Sequence, residues 1–299
     1  MVAGLKQRLG MAVEKIDLKI NHPGPTSGDT RPRLVWIHHD INQAYMQWCK
    51  DKTLVDSVAC FVFVSYWQRE RYLSAFGLPH ERCVVLHNAT DVGPDLRSWE
   101  AGPVWRCAYT STPFRGLSVL LDAWERLAPS GAELNIWSSM KLYRSDDGPY
   151  IHLFERAQSM PGVIYHGIVP NHELRAALRT VHFLTYPSTF AETSCLAVIE
   201  AMAAGCRVIV PSLGALPETT CGYAHVYASG SDAAMHALSF SNALQREFER
   251  PWCGASEMAL MQQRHCAAVY DWRRLIEEWR QLIDSVCDKS SRMHAVGAE

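Results

Sequence analysis

The chain has 299 residues, 48% of them hydrophobic, with 29 basic against 31 acidic side chains and a formal net charge of -2. That length fits two domains of ordinary size with real cores, and the balanced charge argues against a general nucleic-acid binder, which carries a basic surplus. None of the ten cysteines forms a Cys-x-x-Cys pair, which disfavours a structural zinc site; several lie in apolar runs, such as Cys60 in Val58-Ala-Cys-Phe-Val-Phe-Val64, as buried reduced thiols do, so a cytoplasmic location is expected.

The N-terminus, Met1-Val-Ala-Gly-Leu-Lys-Gln-Arg-Leu-Gly10, lacks the long apolar core of a signal peptide. No run has the length of a membrane-spanning helix. Segment 21–32 is rich in turn formers, so the first 32 residues are expected to add little to a core. Apolar, β-branched runs then predict strands over 34–38, 59–65, 83–87, 105–110, 133–138, 163–166, 181–186 and 207–211. Several are continuous apolar runs, the pattern of strands covered on both faces. Helical spacing lies between them, as in 116–127, where Leu117, Leu120, Leu121, Trp124 and Leu127 share one face. Strand–helix alternation of this kind predicts an α/β fold with parallel sheets. The aperiodic, turn-rich segment 92–103 marks a boundary, giving domains over 1–102 and 103–289. The small, polar segment 290–299 is expected to fray.

The stretch Val181-His-Phe-Leu-Thr-Tyr-Pro187 predicts a buried strand, 188–192 the loop after it, and 193–204 a helix stopped by Gly205. In open α/β sheets ligands bind outside the carboxyl ends of the strands. A helix N-terminus there offers unpaired N–H groups and a partial positive charge to a phosphate. Ser194, Cys195 and Leu196 are the expected donors, and the Thr193 hydroxyl either adds a contact or caps the helix. Glu200 shares its helical face with Leu196, Ala197, Ala203 and Ala204. A carboxylate there needs strong donors, either a pair of ribose hydroxyls or neighbouring backbone at the helix rim. Glu192 stands eight residues earlier, which on one helix is roughly 12 Å, longer than the about 5–9.5 Å of a glycoside hydrolase pair. The spacing suits two carboxylates serving opposite ends of an elongated ligand. A glutamate that only complements the helix dipole is the plainer alternative for Glu192.

The run Phe190-Ala-Glu-Thr-Ser-Cys-Leu-Ala-Val-Ile-Glu200-Ala-Met-Ala-Ala-Gly205, with Pro187-Ser188 before it and Gly214-Ala-Leu-Pro-Glu218 after it, resembles the retaining glycosyltransferases of family 4. Further matches follow in order. Trp36-Ile-His-His-Asp40, Ser65-Tyr-Trp-Gln-Arg69 and Leu86-His-Asn-Ala89 fit the N-terminal part. Tyr109-Thr-Ser-Thr-Pro-Phe-Arg-Gly116, Tyr165-His-Gly-Ile-Val-Pro170 and Tyr270-Asp-Trp-Arg-Arg-Leu-Ile-Glu-Glu-Trp279 fit the rest. The resemblance implies a GT-B-like fold: two Rossmann-like domains with mostly parallel sheets. The N-terminal, acceptor-side domain is shortened, because the family's first strand–loop–helix unit is not recognisable. It also implies transfer of a hexosyl group from a nucleoside diphosphate sugar to a glycan, lipid or other hydroxyl acceptor, with retention of configuration.

No metal or other cofactor is implied, and Ser145-Asp-Asp-Gly148 reads as a turn rather than a metal motif. Arg115 would neutralise the donor diphosphate, Glu192 would hold hydroxyls of the transferred sugar, and Glu200 those of the ribose. The Ile168-Val169 backbone would edge the base, and His38 or His39 would face the sugar from the other domain. Three positions depart from the pattern: Thr110 where many members carry a second basic residue, Ala215 for a second glycine, and Ala89 where Asn-Gly is usual. The implied partners are the nucleotide sugar and a glycan or lipid-linked acceptor, with no nucleic acid. Peripheral association with the inner face of a membrane goes with a lipid-linked acceptor, though no basic amphipathic helix supports it. The shortened first domain motivates an alternative, a non-catalytic nucleotide-sugar-binding or scaffold protein.

Overall fold

The computed structural model describes the backbone of residues 2–25, 28–93, 95–97, 104–251 and 254–296. In chain order the elements are α1 (Val2–Leu9), β1 (Asp17–Ile20), β2 (Arg33–Ile37), α2 (Lys52–Asp56), β3 (Cys60–Phe63), α3 (Tyr66–Phe76), β4 (Cys83–Val85), β5 (Trp105–Tyr109), α4 (Leu117–Leu127) and β6 (Ala132–Trp137). Then come α5 (Ile151–Ser159), β7 (Val163–Gly167), α6 (Asn171–Leu178), β8 (Phe183–Thr185), α7 (Leu196–Ala203), β9 (Arg207–Pro211), α8 (Leu216–Thr220), β10 (His225–Tyr227), α9 (Ala233–Glu249), α10 (Ala255–Val269) and α11 (Trp272–Val296). The chain divides into two units, one running to Asp91 and resuming at Ala268, the other spanning Val92–Ala267. Among the described residues, no helix is long and apolar enough to cross a membrane.

The first unit holds a parallel sheet of order β1-β2-β3-β4. Every residue of β2 and β3 is buried, and the two-residue period sends alternate side chains to opposite faces. Leu34, Trp36, Cys60 and Val62 pack with Leu5, Leu9 and Ile16 and with Leu275, Ile276, Trp279 and Ile283 of α11. Val35, Ile37, Phe61 and Phe63 pack on the other face with Met46, Trp48 and Tyr72. Arg33 is buried at the start of β2 because Asp17 Oδ2 accepts from its Nε at 2.8 Å.

Three expectations need correcting here. The first 32 residues do contribute core: Leu5 and Leu9, four apart on α1, form a one-sided apolar stripe, and β1 pairs with β2. Residues 268–289 belong with the first unit rather than with 103–267. The physical reason is the stripe Trp272, Leu275, Ile276, Trp279, Ile283 and Val286, which α11 buries in that unit's core. The segment expected to fray from residue 290 continues as helix to Val296. Residues 94 and 98–103 of the expected linker, and 297–299 of the expected tail, lie outside the described residues.

The second unit holds a parallel sheet of order β10-β9-β8-β5-β6-β7. From β5 the chain builds outward through β6 and β7, then returns to add β8, β9 and β10 on the other side of β5. The order therefore reverses between β5 and β8, and the crevice at the carboxyl ends of these two strands is the place where such sheets bind ligands. Both strands are central and buried: Cys107, Ala108, Tyr109, Phe183, Leu184 and Thr185 are fully inaccessible. The eight strands expected from the sequence are all present, and β1 and β10 are additional.

Candidate functional site

Two loops meet at the β5–β8 switch point, and glycine makes the meeting possible. Gly116 closes the loop after β5 with a φ of 113°. A Cβ there would lie 2.1 Å from the Pro187 carbonyl oxygen in the loop after β8. On the other side Gly214, with a φ of 60°, presses on Glu192 so closely that a Cβ would meet its N and O atoms at 2.6 Å. The Ala215 amide donates to the Glu192 carbonyl at 2.7 Å. Only a residue without a side chain fits either place.

This clamp displaces the start of α7. Residues 193–204 were expected as helix, but α7 begins at Leu196, with Cys195 extended at the N-cap and no side-chain cap. The bond from Ala215 holds Glu192 in a non-helical path, so Thr193, which is buried, lies before the helix and is not its cap. Leu196 opens the first turn, Cys195 precedes it, and Ser194 lies outside. Glu192 and Glu200 consequently do not share a helix.

The Glu192 side chain is 3% exposed and meets Arg115 directly: Nη1 donates at 2.5 Å to Oε1 and 2.6 Å to Oε2. The hydroxyl of Tyr186, itself fully buried, donates to Oε1 at 2.6 Å and lies 3.3 Å from Ser111 Oγ. Arg115 Nη2 donates to the Tyr143 hydroxyl at 3.2 Å. Its guanidinium stands over the rings of Phe190 at 4.7 Å, Phe114 at 5.4 Å and Tyr143 at 6.0 Å. Burial raises the Glu192 carboxyl above its ordinary value, against the pull of Arg115 and the Tyr186 bond. Burial works against the Arg115 charge, and the attraction of Glu192, with that of Tyr186, Tyr143 and Cys195 added, outweighs it, so the guanidinium is held charged.

Among the described residues, four buried polar atoms of the second unit's loops have no hydrogen-bond partner: Thr110 Oγ1, Thr112 Oγ1, Ser138 Oγ and Arg115 Nε. All lie just past the carboxyl ends of β5 and β6. Buried donors and acceptors are almost always satisfied, and leaving one unmet costs about 1–3 kcal/mol. A cluster of them at a switch point therefore marks a place built for a polar ligand.

Along the sheet, Ile168 and Val169 follow β7, with Ile168 49% exposed. Asn171 at the start of α6 donates through Nδ2 to Glu200 Oε1 at 3.2 Å, which ties the half-buried Glu200 to the loop carrying Ile168 and Val169. His166 stacks on Trp137 with centroids 4.4 Å apart, and the Tyr165 hydroxyl donates to the Ser138 carbonyl at 2.9 Å. The neighbouring aspartates serve a turn: Asp147 accepts from Ser139 Oγ and the Met140 amide, and Asp146 from the Gly148 amide.

In the first unit, His38 and His39 follow the carboxyl end of β2. The His38 amide donates to Asn21 Oδ1 at 2.7 Å, and its ring lies 4.4 Å from that of Trp36. Burial, with repulsion from His39 added, lowers the His38 imidazole to about 4, so it is neutral at pH 7. The His39 carbonyl accepts from Gln68 Nε2 and the Tyr72 hydroxyl, and its ring rests against Tyr45.

The second unit thus gathers Arg115, Glu192, Thr193, Ser194, Cys195, Leu196, Ile168, Val169 and Glu200 around the carboxyl ends of its strands, whereas His38 and His39 stand at the corresponding end of the other sheet. Sequence reading missed Tyr186, Ser138, Thr112 and the rings of Phe114, Tyr143 and Phe190. The one available signal was Tyr186 directly after the buried strand β8, because a buried tyrosine hydroxyl needs a partner.

Residues 106–244 match the family model described as "Glycosyl transferases group 1". No curated protein matches the chain. Among solved structures, the glycosyltransferase from Rickettsia africae ESF-5 aligns with a TM-score of 0.64 at 12% identity, over 85% of this chain and 70% of that one. Sucrose-phosphate synthase from Thermosynechococcus elongatus gives 0.64 at 19% identity, over 85% and 67%. HepE from Anabaena, in complex with UDP and glucose, gives 0.63 at 14% identity, over 85% and 72%. At these identities the structures speak for the fold. Residues 106–244 are therefore similar to the group 1 glycosyl transferases, within a GT-B-like fold of two Rossmann-like units.

Proposed function

We propose that this chain is a glycosyltransferase that moves a hexosyl group from a nucleoside diphosphate sugar to a hydroxyl of a glycan or lipid-linked acceptor, with retention of configuration. The observation that carries this reading is the cluster at the β5–β8 switch point: Arg115, the α7 tip and four buried polar atoms with no protein partner. A diphosphate supplies acceptors to Arg115 Nε and to the hydroxyls of Thr110, Thr112 and Ser138. Thr110 then gives a neutral hydrogen bond where many family members place a second cation. Arg115 and the first-turn amides of α7 bear the charge that the leaving diphosphate gains, without a metal ion. Hydroxyls of the transferred sugar bond Glu192. The ribose bonds Glu200, oriented by Asn171, and the Ile168-Val169 backbone borders the base. The acceptor hydroxyl attacks the anomeric carbon on the face from which the diphosphate departs. The bond from that carbon to the diphosphate oxygen breaks as the new one forms, and a diphosphate oxygen takes the proton. A sugar contact from neutral His38 or from His39, and work at a membrane surface, rest on the family resemblance alone.

The test is to incubate the purified protein with a panel of UDP- and GDP-sugars, following thermal shift and then nucleotide release with added acceptors. UDP-sugars come first because the similar HepE was solved with UDP. The reading predicts that at least one donor raises the melting temperature and is turned over. Absence of any nucleotide binding contradicts it. A second reading, a binding protein without turnover, draws support from the Arg115–Glu192 pair, in which each charge already has a protein partner. Binding without release across all acceptors favours that reading.

A further inference from the structure

Arg115 and Glu192 are each other's main partner, through Nη1 and both carboxylate oxygens. Their side chains are only 18% and 4% exposed, so water screens the attraction weakly. Apart from Arg115, Glu192 has one side-chain donor among the described residues, the Tyr186 hydroxyl. Two ligands that share a diphosphate therefore meet this pair differently. A nucleoside diphosphate competes with Glu192 for the Arg115 charge and offers Glu192 nothing in return. The carboxylate is left buried with a weakened partner, a costly arrangement. A nucleoside diphosphate sugar makes the same demand on Arg115 but brings hydroxyl donors to Glu192.

We propose, resting on the donor-site reading above, that the Arg115–Glu192 ion pair is a specificity device that favours the intact nucleoside diphosphate sugar over the nucleoside diphosphate product. Glu192 acts against the product by holding Arg115, and the sugar of the donor lifts that opposition. Release of the spent nucleotide is built into the pair: when the sugar leaves, Glu192 reclaims Arg115.

Removing the Glu192 charge is therefore expected to improve binding of one ligand, the nucleoside diphosphate. Glu192→Gln keeps the size and the hydrogen-bonding shape of the side chain while freeing Arg115. Calorimetric titration with UDP and UDP-glucose, and with GDP and GDP-mannose, compares the two proteins. For the base that binds, Glu192→Gln is expected to take the nucleoside diphosphate about tenfold more tightly than wild type, in line with measured couplings of close buried charge pairs. Its preference for the nucleotide sugar collapses. Equal or weaker binding of the diphosphate by Glu192→Gln overturns the proposal.

A measurement on the wild type stands beside it in case the variant does not fold. The titratable groups facing Glu192 are Arg115, Tyr186, Tyr109 and Cys195. Burial raises both tyrosine hydroxyls and pushes the Cys195 thiol up to about 12, so all three stay protonated. Glu192 is then the group that gains a proton when a nucleoside diphosphate draws on Arg115. Titration at about pH 8, where the terminal phosphate of the free diphosphate (second pKa about 6) is already ionised, in buffers of different ionisation enthalpy should show proton uptake with the nucleoside diphosphate and less with its sugar conjugate. Equal proton uptake for both ligands overturns the proposal. Wild-type protein that binds none of the four ligands overturns the donor-site reading itself, and this inference with it.

Discussion

Gly116 and Gly77 both adopt positive φ, yet they test different things. At Gly77 a Cβ meets nothing within 4 Å, so Gly77→Ala carries only the backbone cost of about 1–2 kcal/mol. At Gly116 the same atom collides with the Pro187 carbonyl, and Gly116→Ala should lose about 2–4 kcal/mol along with ligand binding. Urea midpoints compare the two, and equal losses would show that the β5 and β8 loops do not depend on the close approach. A second prediction at this scale concerns His38. Its folded value of about 4 lies below the ordinary 6.5, so the unfolded chain binds the proton more readily between those values. The neutral ring therefore contributes stability that is fully present above pH 6.5 and is lost as pH falls toward 4. His38→Gln should flatten the decline of melting temperature between pH 6.5 and 4.5; an unchanged slope refutes the assignment. Not everything at this scale was legible. Arg115 and Glu192 were read as ligand-facing groups from their motifs, but they lie 77 positions apart. No local pattern says that each is the other's partner.

The elements were read best where burial is greatest. Continuous runs such as Phe61-Val-Phe63 and Val208-Ile-Val210 announce central parallel strands, because both faces are covered. Both missed strands lie at sheet edges: β1 has four residues, of which only Asp17 is fully buried, and β10 has three, of which only Tyr227 is. Such short mixed stretches carry no period. The start of α7 was misplaced because Thr193 and Ser194 are good cap residues by type, whereas a tertiary bond from Ala215 to Glu192 keeps them out of the helix. α11 was assigned to the wrong unit because an amphipathic helix shows that it has a buried face, not which sheet covers it. Its placement is testable. Trp279 is fully buried, edge-on to Trp36 at 5.3 Å, so Trp279→Ala should cost about 3–5 kcal/mol. The loss should fall on the first unit, seen as earlier hydrogen exchange in β2 and β3 with β5 and β8 unaffected. Loss of protection in both sheets alike would contradict the division.

At the scale of the whole molecule, the chain repeats one physical solution twice: a parallel sheet with its central strands buried on both faces, the architecture whose ligands bind at the carboxyl ends of the strands. The second unit carries the firmer case, because its strand order reverses where Arg115 meets Glu192. The central claim is that this place holds the diphosphate of a nucleotide sugar. It is tested most directly by titrating the best-binding nucleoside diphosphate, and its parent nucleoside, into wild-type protein and Arg115→Ala. Hydrogen bonds to charged groups contribute about 1.5–3 kcal/mol, so the variant should bind the diphosphate about 10–100-fold more weakly while its affinity for the nucleoside stays unchanged. Equal losses for both ligands, or no loss for either, would contradict the account.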